Sequence, residues 1–407
     1  MTHSTTVDSV GAKGSAGGTR PDILKALLRH FSVLEDPRAR RGLRHPLLNV
    51  LSIAVFGTMC GCNDAEALED WGKKEKSWLA GFLDIRHGVP SQDVFLRVLA
   101  SLDPVAFRRA FRAWMDEVFL ALGMKGQLAV DGQSHRRSHD HSAAKKALHM
   151  VHALWCEAEL VVGQEPTEEK SNEIKAIPEL LKLLDIRGAL VSMDAMGTQT
   201  AIAKGITTQG GNYLMGLKGN QSSLNAQTRA AFAEAADPRK RTVDEVAPPT
   251  ATTHTEVDKG HGRLETRTAT VLRDFAEWVP AAVRWPGLSC LIAIEATRED
   301  LITGKTSTET RYYISSRNFT AEEANHAVRA HWKVENSLHH RLDVTFSQDA
   351  CRTRSGNAAE NLGVIRHFAL NILRNYKGDR YSVPRRRRKC DYNPDYRRRV
   401  LRAAITV

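Results

Sequence analysis

Two short stretches decide the fold: Gln127-Leu-Ala-Val-Asp131-Gly132 and Gly188-Ala-Leu-Val-Ser-Met-Asp194. Each is an apolar run of strand length that closes on an aspartate. Between them, residues 147–156 and 160–163 read as two more strands. Residues 172–184 follow as a helix, with Ile174, Ile177, Leu181 and Leu184 on one stripe. Residues 198–209 give a second helical pattern that stops at Gly210-Gly211. Asn212-Tyr-Leu-Met-Gly-Leu217 is a fifth strand. The order is strand, strand, strand, helix, strand, helix, strand, which predicts an α/β sheet flanked by helices. A helical crossover leaves the joined strands parallel. If the two aspartate strands are neighbours, both carboxylates emerge at one sheet edge, where open α/β sheets bind ligands.

Two carboxylates brought together repel unless a cation lies between them. Such oxygen ligands suit magnesium or manganese. Glu335 is the candidate third acid. It follows Val328 and Trp332 on one face of a helix that begins at Thr320, where Glu323 completes a capping box. That face predicts a carboxylate turned to the core, which is costly unless paired or metal-bound. Two metals held by Asp131, Asp194 and Glu335 would serve an in-line phosphoryl displacement. A rival cluster is His135, His139 and His141 with Asp140, a zinc candidate through the i, i+4 pair. It lacks cysteines and the H-E-x-x-H pattern, and Arg136-Arg137 between the histidines reads as a solvated or phosphate-facing loop.

Outward from this centre, residues 1–20 are rich in Gly, Ser and Thr without apolar period, which predicts disorder. Residues 21–124 read as a helical N-terminal domain. Its arginines Arg38, Arg40, Arg41 and Arg44 form a basic cluster, a candidate for phosphate contact. Residues 125–224 and 311–377 read as one discontinuous α/β domain carrying the acids. Residues 225–310 interrupt it with strand-like alternation over 264–272, 288–296 and 310–316, a β-rich insertion. Residues 378–407 carry ten Lys/Arg and three Asp and read as a solvated basic tail.

The 407 residues have 58 Lys+Arg against 47 Asp+Glu, a formal charge of +11, which favours an anionic partner. With 42% hydrophobic and 26% charged residues, wholesale disorder is excluded. The longest apolar run, residues 47–62, is interrupted by Asn49, Ser52 and Gly57 and is shorter than the ~18–20 residues of a membrane span. The N-terminus lacks a signal-peptide layout. The six cysteines are scattered, with only Cys60 and Cys62 close, so the expected compartment is the reducing cytoplasm.

Several motifs together resemble a known family: Leu128-Ala-Val-Asp131-Gly, Lys170-Ser-Asn-Glu-Ile174, Ser192-Met-Asp194-Ala-Met-Gly, Gly216-Leu-Lys-Gly-Asn-Gln221, Gly260-His-Gly-Arg-Leu-Glu-Thr-Arg267 and His331-Trp-Lys-Val-Glu335-Asn-Ser-Leu-His-His-Arg-Leu-Asp343-Val. They resemble bacterial insertion-sequence transposases of the DDE class, the group that includes the H-repeat-associated proteins. The resemblance runs in order from Leu34 to Tyr376. It implies a ribonuclease-H-like core and DNA cleavage with strand transfer, using two Mg2+ or Mn2+ ions per active site. It carries the catalytic roles onto Asp131, Asp194 and Glu335. It implies DNA as partner, both terminal repeats and target, a homo-oligomer in the DNA complex, and a cytoplasmic protein on the nucleoid. The segment from Leu34 to Leu102 resembles that family's N-terminal region. Gln133, His340 and Gln348 stand where the family usually has Lys, Trp and Glu.

Lys218, Asn220 and Gln221 follow the fifth strand at the same sheet edge and are candidates for phosphate contact. Glu173 is a helix-start acid or an outer helper of the site. Trp332 reads as core packing. Alternatives to a transposase are a nuclease of the same fold that cuts without joining, and a non-catalytic DNA-binding relative. The latter predicts loss of at least one acid, and all three are present.

Overall fold

The computed structural model describes residues 23–39, 43–122, 126–139, 146–167, 172–236, 248–260 and 262–403. The expectation of disorder over residues 1–20 lies outside them. Six helices come first: α1 (Ile23–Ser32), α2 (Leu47–Met59), α3 (Ala65–Lys74), α4 (Lys76–Leu79), α5 (Gln92–Ser101) and α6 (Pro104–Leu122). Among the described residues no helix is long and apolar enough to cross a membrane. α2 is apolar on every side because it is enclosed on every side.

The strand order matches the sequence reading. β1 (Gln127–Ser134), β2 (His149–Trp155) and β3 (Leu160–Thr167) are antiparallel neighbours. α7 (Glu173–Lys182) leads into β4 (Leu190–Met193), and α8 (Thr200–Thr208) into β5 (Asn212–Leu217). β4 pairs in parallel with both β1 and β5. The order β3-β2-β1-β4-β5 with these directions is a ribonuclease-H-like sheet.

The insertion continues that sheet. After α9 (Ser222–Ala236) come β6 (Thr250–Gly260), β7 (Arg263–Arg273), β8 (Cys290–Asp300) and β9 (Thr306–Ser315). β9 pairs antiparallel with β5, so the molecule carries one nine-stranded sheet ordered β3-β2-β1-β4-β5-β9-β8-β7-β6. The buried ends of β7 and β8, at Val271 and Ile292, pack under α10 (Ala321–His331). β6 is exposed along nearly all its length. It lacks the apolar alternation that would have shown it in the sequence.

α10 begins with the expected capping box, in which Glu323 N–H donates to Thr320 Oγ1 and Thr320 N–H to Glu323. It does not run on as one α-helix. Trp332 caps it, and a π-helical segment, Val334–His339, intervenes before α11 (His340–Val344). α10 ends at His331, so the stripe that Val328 lies on does not extend past it. Val328 is buried, but Trp332 is 38% exposed, so its reading as core packing is corrected. Glu335 likewise lies on the surface rather than facing the core. Single-turn π segments are rare and concentrate at functional sites.

α12 (Ala358–Asn375) runs through the middle of the molecule against α2, α5, α6 and β3. One continuous apolar core therefore joins the N-terminal helices to the sheet. The basic C-terminus also joins it, which corrects the reading of a solvated tail. α13 (Val383–Tyr392) and α14 (Pro394–Arg402) bury Cys390, Tyr396, Val400 and Leu401. The arginines find acceptors inside. Arg387 donates to the carbonyls of Thr58 (2.9 Å) and Cys62 (3.0 Å). Arg397 is fully buried, pairs with Glu75 and lies 4.3 Å from the Trp78 ring centre. Charge density alone hides such pairing from the sequence.

Candidate active site

The last parallel pair of β1 and β4 is Val130 with Met193, and Asp131 and Asp194 are the next residues on the two chains. Both line one cavity of about 550 Å3, together with Glu335 from the π segment. Three segments far apart in sequence thus place their acids on one cavity; Asp131 and Glu335 approach each other closely, and Asp194 lines the same cavity outside that close group. His339, four residues beyond Glu335, joins them. Its Nδ1 is 3.2 Å from Glu335 Oε2 and 3.6 Å from Asp131 Oδ2. The ligand atoms of Asp131, Glu335 and His339 all lie within 4.8 Å of one another.

Burial pushes the Asp131 carboxyl up to about 6, and the negative charge of Asp194 adds to this against the pull of His339. The hydrogen bond with His339 holds the exposed Glu335 carboxyl below its ordinary value. Hard oxygen donors that include a half-buried carboxyl of raised pKa are a donor set whose charge a divalent cation balances.

Gly132 explains the Asp-Gly pair. A Cβ there would overlap the Glu173 carboxylate and the His149 ring, which bond each other at 2.6 Å directly behind Asp131. Glu173 opens α7, as read, and it is buried, so it also backs the site. The Gly216 motif clamps the other aspartate. Asn220 Nδ2 donates to the Ala195 carbonyl (2.6 Å), and Gln221 Nε2 to that of Thr198 (2.9 Å). Asp194 Oδ1 accepts the backbone N–H of Met196 at 2.8 Å, so the loop is held from both sides.

Comparison with known families decides what this centre belongs to. The family model described as "Transposase DDE domain" matches residues 123–372, and the associated model matches residues 28–115. The chain belongs to the DDE transposase family. It is 38% identical over 380 residues to YbfL of Escherichia coli K12, covering 93% of this chain and 98% of that one. At the same identity and coverage it is similar to "H repeat-associated putative transposase YhhI" of that strain. Among solved structures it is similar to a piggyBac transposase in a synaptic complex with hairpin DNA, at TM-score 0.43 and 14% identity over 93% of this chain and 78% of that one. The fold assignment rests on the strand order and not on that likeness.

The other sequence candidates divide. Lys218 is exposed and lines the acid cavity, with Arg229 and Arg311 beside it. Asn220 and Gln221 spend their amide N–H groups inward on the Asp194 loop. Arg38 is tied to Asp36 at 2.6 Å and to the His45 carbonyl at 2.7 Å, and lines a separate cavity with Arg44 and Arg97. Arg40 and Arg41 lie outside the described residues, as do Asp140, His141 and His261. His135 and His139 flank a single 3-10 turn rather than sharing an α-helix face, so their spacing does not join them. Asp343 accepts from Gln133 Nε2 at 2.9 Å and stands apart from the acid group. His339 was the residue sequence reasoning missed. Its signal was the i, i+4 spacing from Glu335 inside a motif read only for its acids.

Proposed function

We propose that the chain is a DNA transposase that cleaves phosphodiester bonds at insertion-sequence ends and joins the 3′-hydroxyl to target DNA. Asp131, Asp194 and Glu335 would hold two magnesium or manganese ions. The observation that carries this reading is the convergence of three acids from three distant segments on a cavity that also holds Lys218, Arg229 and Arg311. When bound, the ions supply charge stabilisation at the attacking and leaving oxygens.

The chain's own residues do the remaining work. Lys218, Arg229 and Arg311 bind the non-bridging phosphate oxygens and fix the strand against the acids. Asn220 and Gln221 keep the Asp194 loop in register with Asp131. The Glu173–His149 pair stiffens the strand behind Asp131. The protein acts on DNA as a homo-oligomer.

The test is incubation with magnesium, DNA carrying the element's terminal repeats and a target plasmid. Cleavage at the repeat ends and a joined product are expected. Cleavage without joining would reduce the protein to a nuclease, and no cleavage would overturn the reading.

A further inference from the structure

We propose that His339 is a nitrogen ligand of the metal held by Asp131 and Glu335, and that it biases this site toward manganese over magnesium. The inference rests on the reading of the acids as metal ligands given above.

Geometry is the first argument. An octahedral ion with bonds of about 2.1 Å keeps neighbouring donors roughly 3 Å apart. His339 Nδ1 stands 3.2 Å from Glu335 Oε2 and 3.6 Å from Asp131 Oδ2, so three donors from two elements already approximate neighbouring corners of such a site.

Fixation is the second. The His339 side chain is 4% exposed, and its ring lies 5.3 Å from that of His152. His152 is the residue directly opposite Asp131 in the β1/β2 ladder. The ring is therefore wedged between the π segment and the strand that carries the first acid, with Nδ1 turned to the carboxylates. Nε2 has no hydrogen-bond partner among the described residues, so no other bond dictates the ring's orientation. A histidine that served only as a counter-charge for Glu335 would gain most by staying solvated beside that exposed acid. This one is buried under it.

Donor chemistry sets the consequence. Magnesium takes oxygen ligands almost exclusively and gives up its waters reluctantly. Manganese also favours oxygen, but as a first-row transition metal it accepts an imidazole nitrogen more readily than magnesium does. An Asp, Glu and His set therefore discriminates between the two ions that an all-carboxylate site treats alike.

The experiment uses full-length protein and Mn2+ alone, read by pulsed electron paramagnetic resonance and by calorimetry. A nitrogen coupling typical of directly bound imidazole is expected. It should change to the 15N pattern when the protein is labelled with 15N-histidine, an arm that needs no substitution. His339→Gln should abolish the coupling and weaken Mn2+ binding about 10–100-fold, with a smaller loss for Mg2+. Bound Mn2+ without a nitrogen coupling, or a coupling that survives His339→Gln, overturns the assignment of His339 and leaves the acids standing. Mn2+ binding that is absent, or indifferent to Asp131→Asn, overturns the acid site and this inference with it.

Discussion

Asp131 stands opposite His152 in the antiparallel β1/β2 ladder, one residue past the point where β1 loses its parallel partner β4. Beyond Val130 and Met193 the two parallel chains separate. β1 continues along β2, and β4 turns into the loop held by Asn220 and Gln221. The notch between them is the acid cavity. A carboxylate at its inner wall is half-desolvated by construction, which is why the function attributed to it carries a cost in stability.

That cost is measurable. Asp131 is raised from 3.8 to about 6, so the folded chain holds its proton more tightly than the unfolded chain does. Its favourable contribution is full below about pH 4 and is lost as pH rises through 6. Asp131→Asn should therefore stabilise the metal-free protein at pH 7 by about 1–2 kcal/mol, a discounted share of the shift. Chemical denaturation in chelator checks it. A destabilised variant would mean that Asp131 is structural.

Acid should act in the opposite sense through the histidines. Burial holds His135 and His367 at about 3 and His331 at about 4, and keeps His152 well below its ordinary value. These groups are depressed in the folded state, so the unfolded chain binds protons first. Stability is full above about pH 6.5 and falls toward pH 4, by roughly 1.4 kcal/mol per pH unit for each titrating group. The raised carboxyls of Asp131, Asp116, Glu165 and Asp343 act in the other direction, but the four buried histidines outweigh them. Thermal unfolding at pH 7.5, 6.5 and 5.5 should show a steep drop over the last interval; a flat profile would contradict the burial of this cluster.

The C-terminal helices yield a prediction that the reading of a loose tail would reverse. Arg397→Met leaves Glu75 buried and unpaired, at a cost of about 3–5 kcal/mol. Adding Glu75→Gln should recover much of that loss. Urea denaturation of the two variants decides it, and a single variant as stable as the parent would restore the loose tail.

The sequence was most legible where period and punctuation agree. The apolar runs ending at Asp131 and Asp194, the stripe of Ile174, Ile177 and Leu181, and the Thr320 capping box all carry their geometry locally. What stayed hidden was set by partners. β6 has no buried face, so it has no pattern. Trp332 and Glu335 fall at and beyond the end of α10, where its helical period stops. Arg387 and Arg397 look solvated until Thr58 and Glu75 are known to face them. Two departures from the family pattern, Gln133 and Gln348, touch each other, with Gln348 Nε2 donating to Gln133 Oε1 at 3.3 Å.

DNA affinity should be dominated by phosphate contacts. Its logarithm should fall linearly with the logarithm of salt concentration. Lys218→Gln and Arg229→Gln should each flatten the slope by about one and weaken all sequences alike. Anisotropy titrations between low and physiological salt provide the measurement. Unchanged slopes would move the DNA path away from this cavity.

The proposed catalytic centre of Asp131, Asp194 and Glu335 turns on Glu335. Glu335→Gln preserves the shape of the π segment and removes one charge from the exposed mouth of the cavity. The decisive measurement is the single-turnover rate of strand cleavage on terminal-repeat DNA with magnesium, alongside circular dichroism and DNA affinity. An unchanged fold, unchanged affinity and a rate at least ~10²-fold lower are expected, the scale of losing one electrostatic stabiliser. Cleavage at near the unsubstituted rate, with Asp131→Asn inactive, would contradict it.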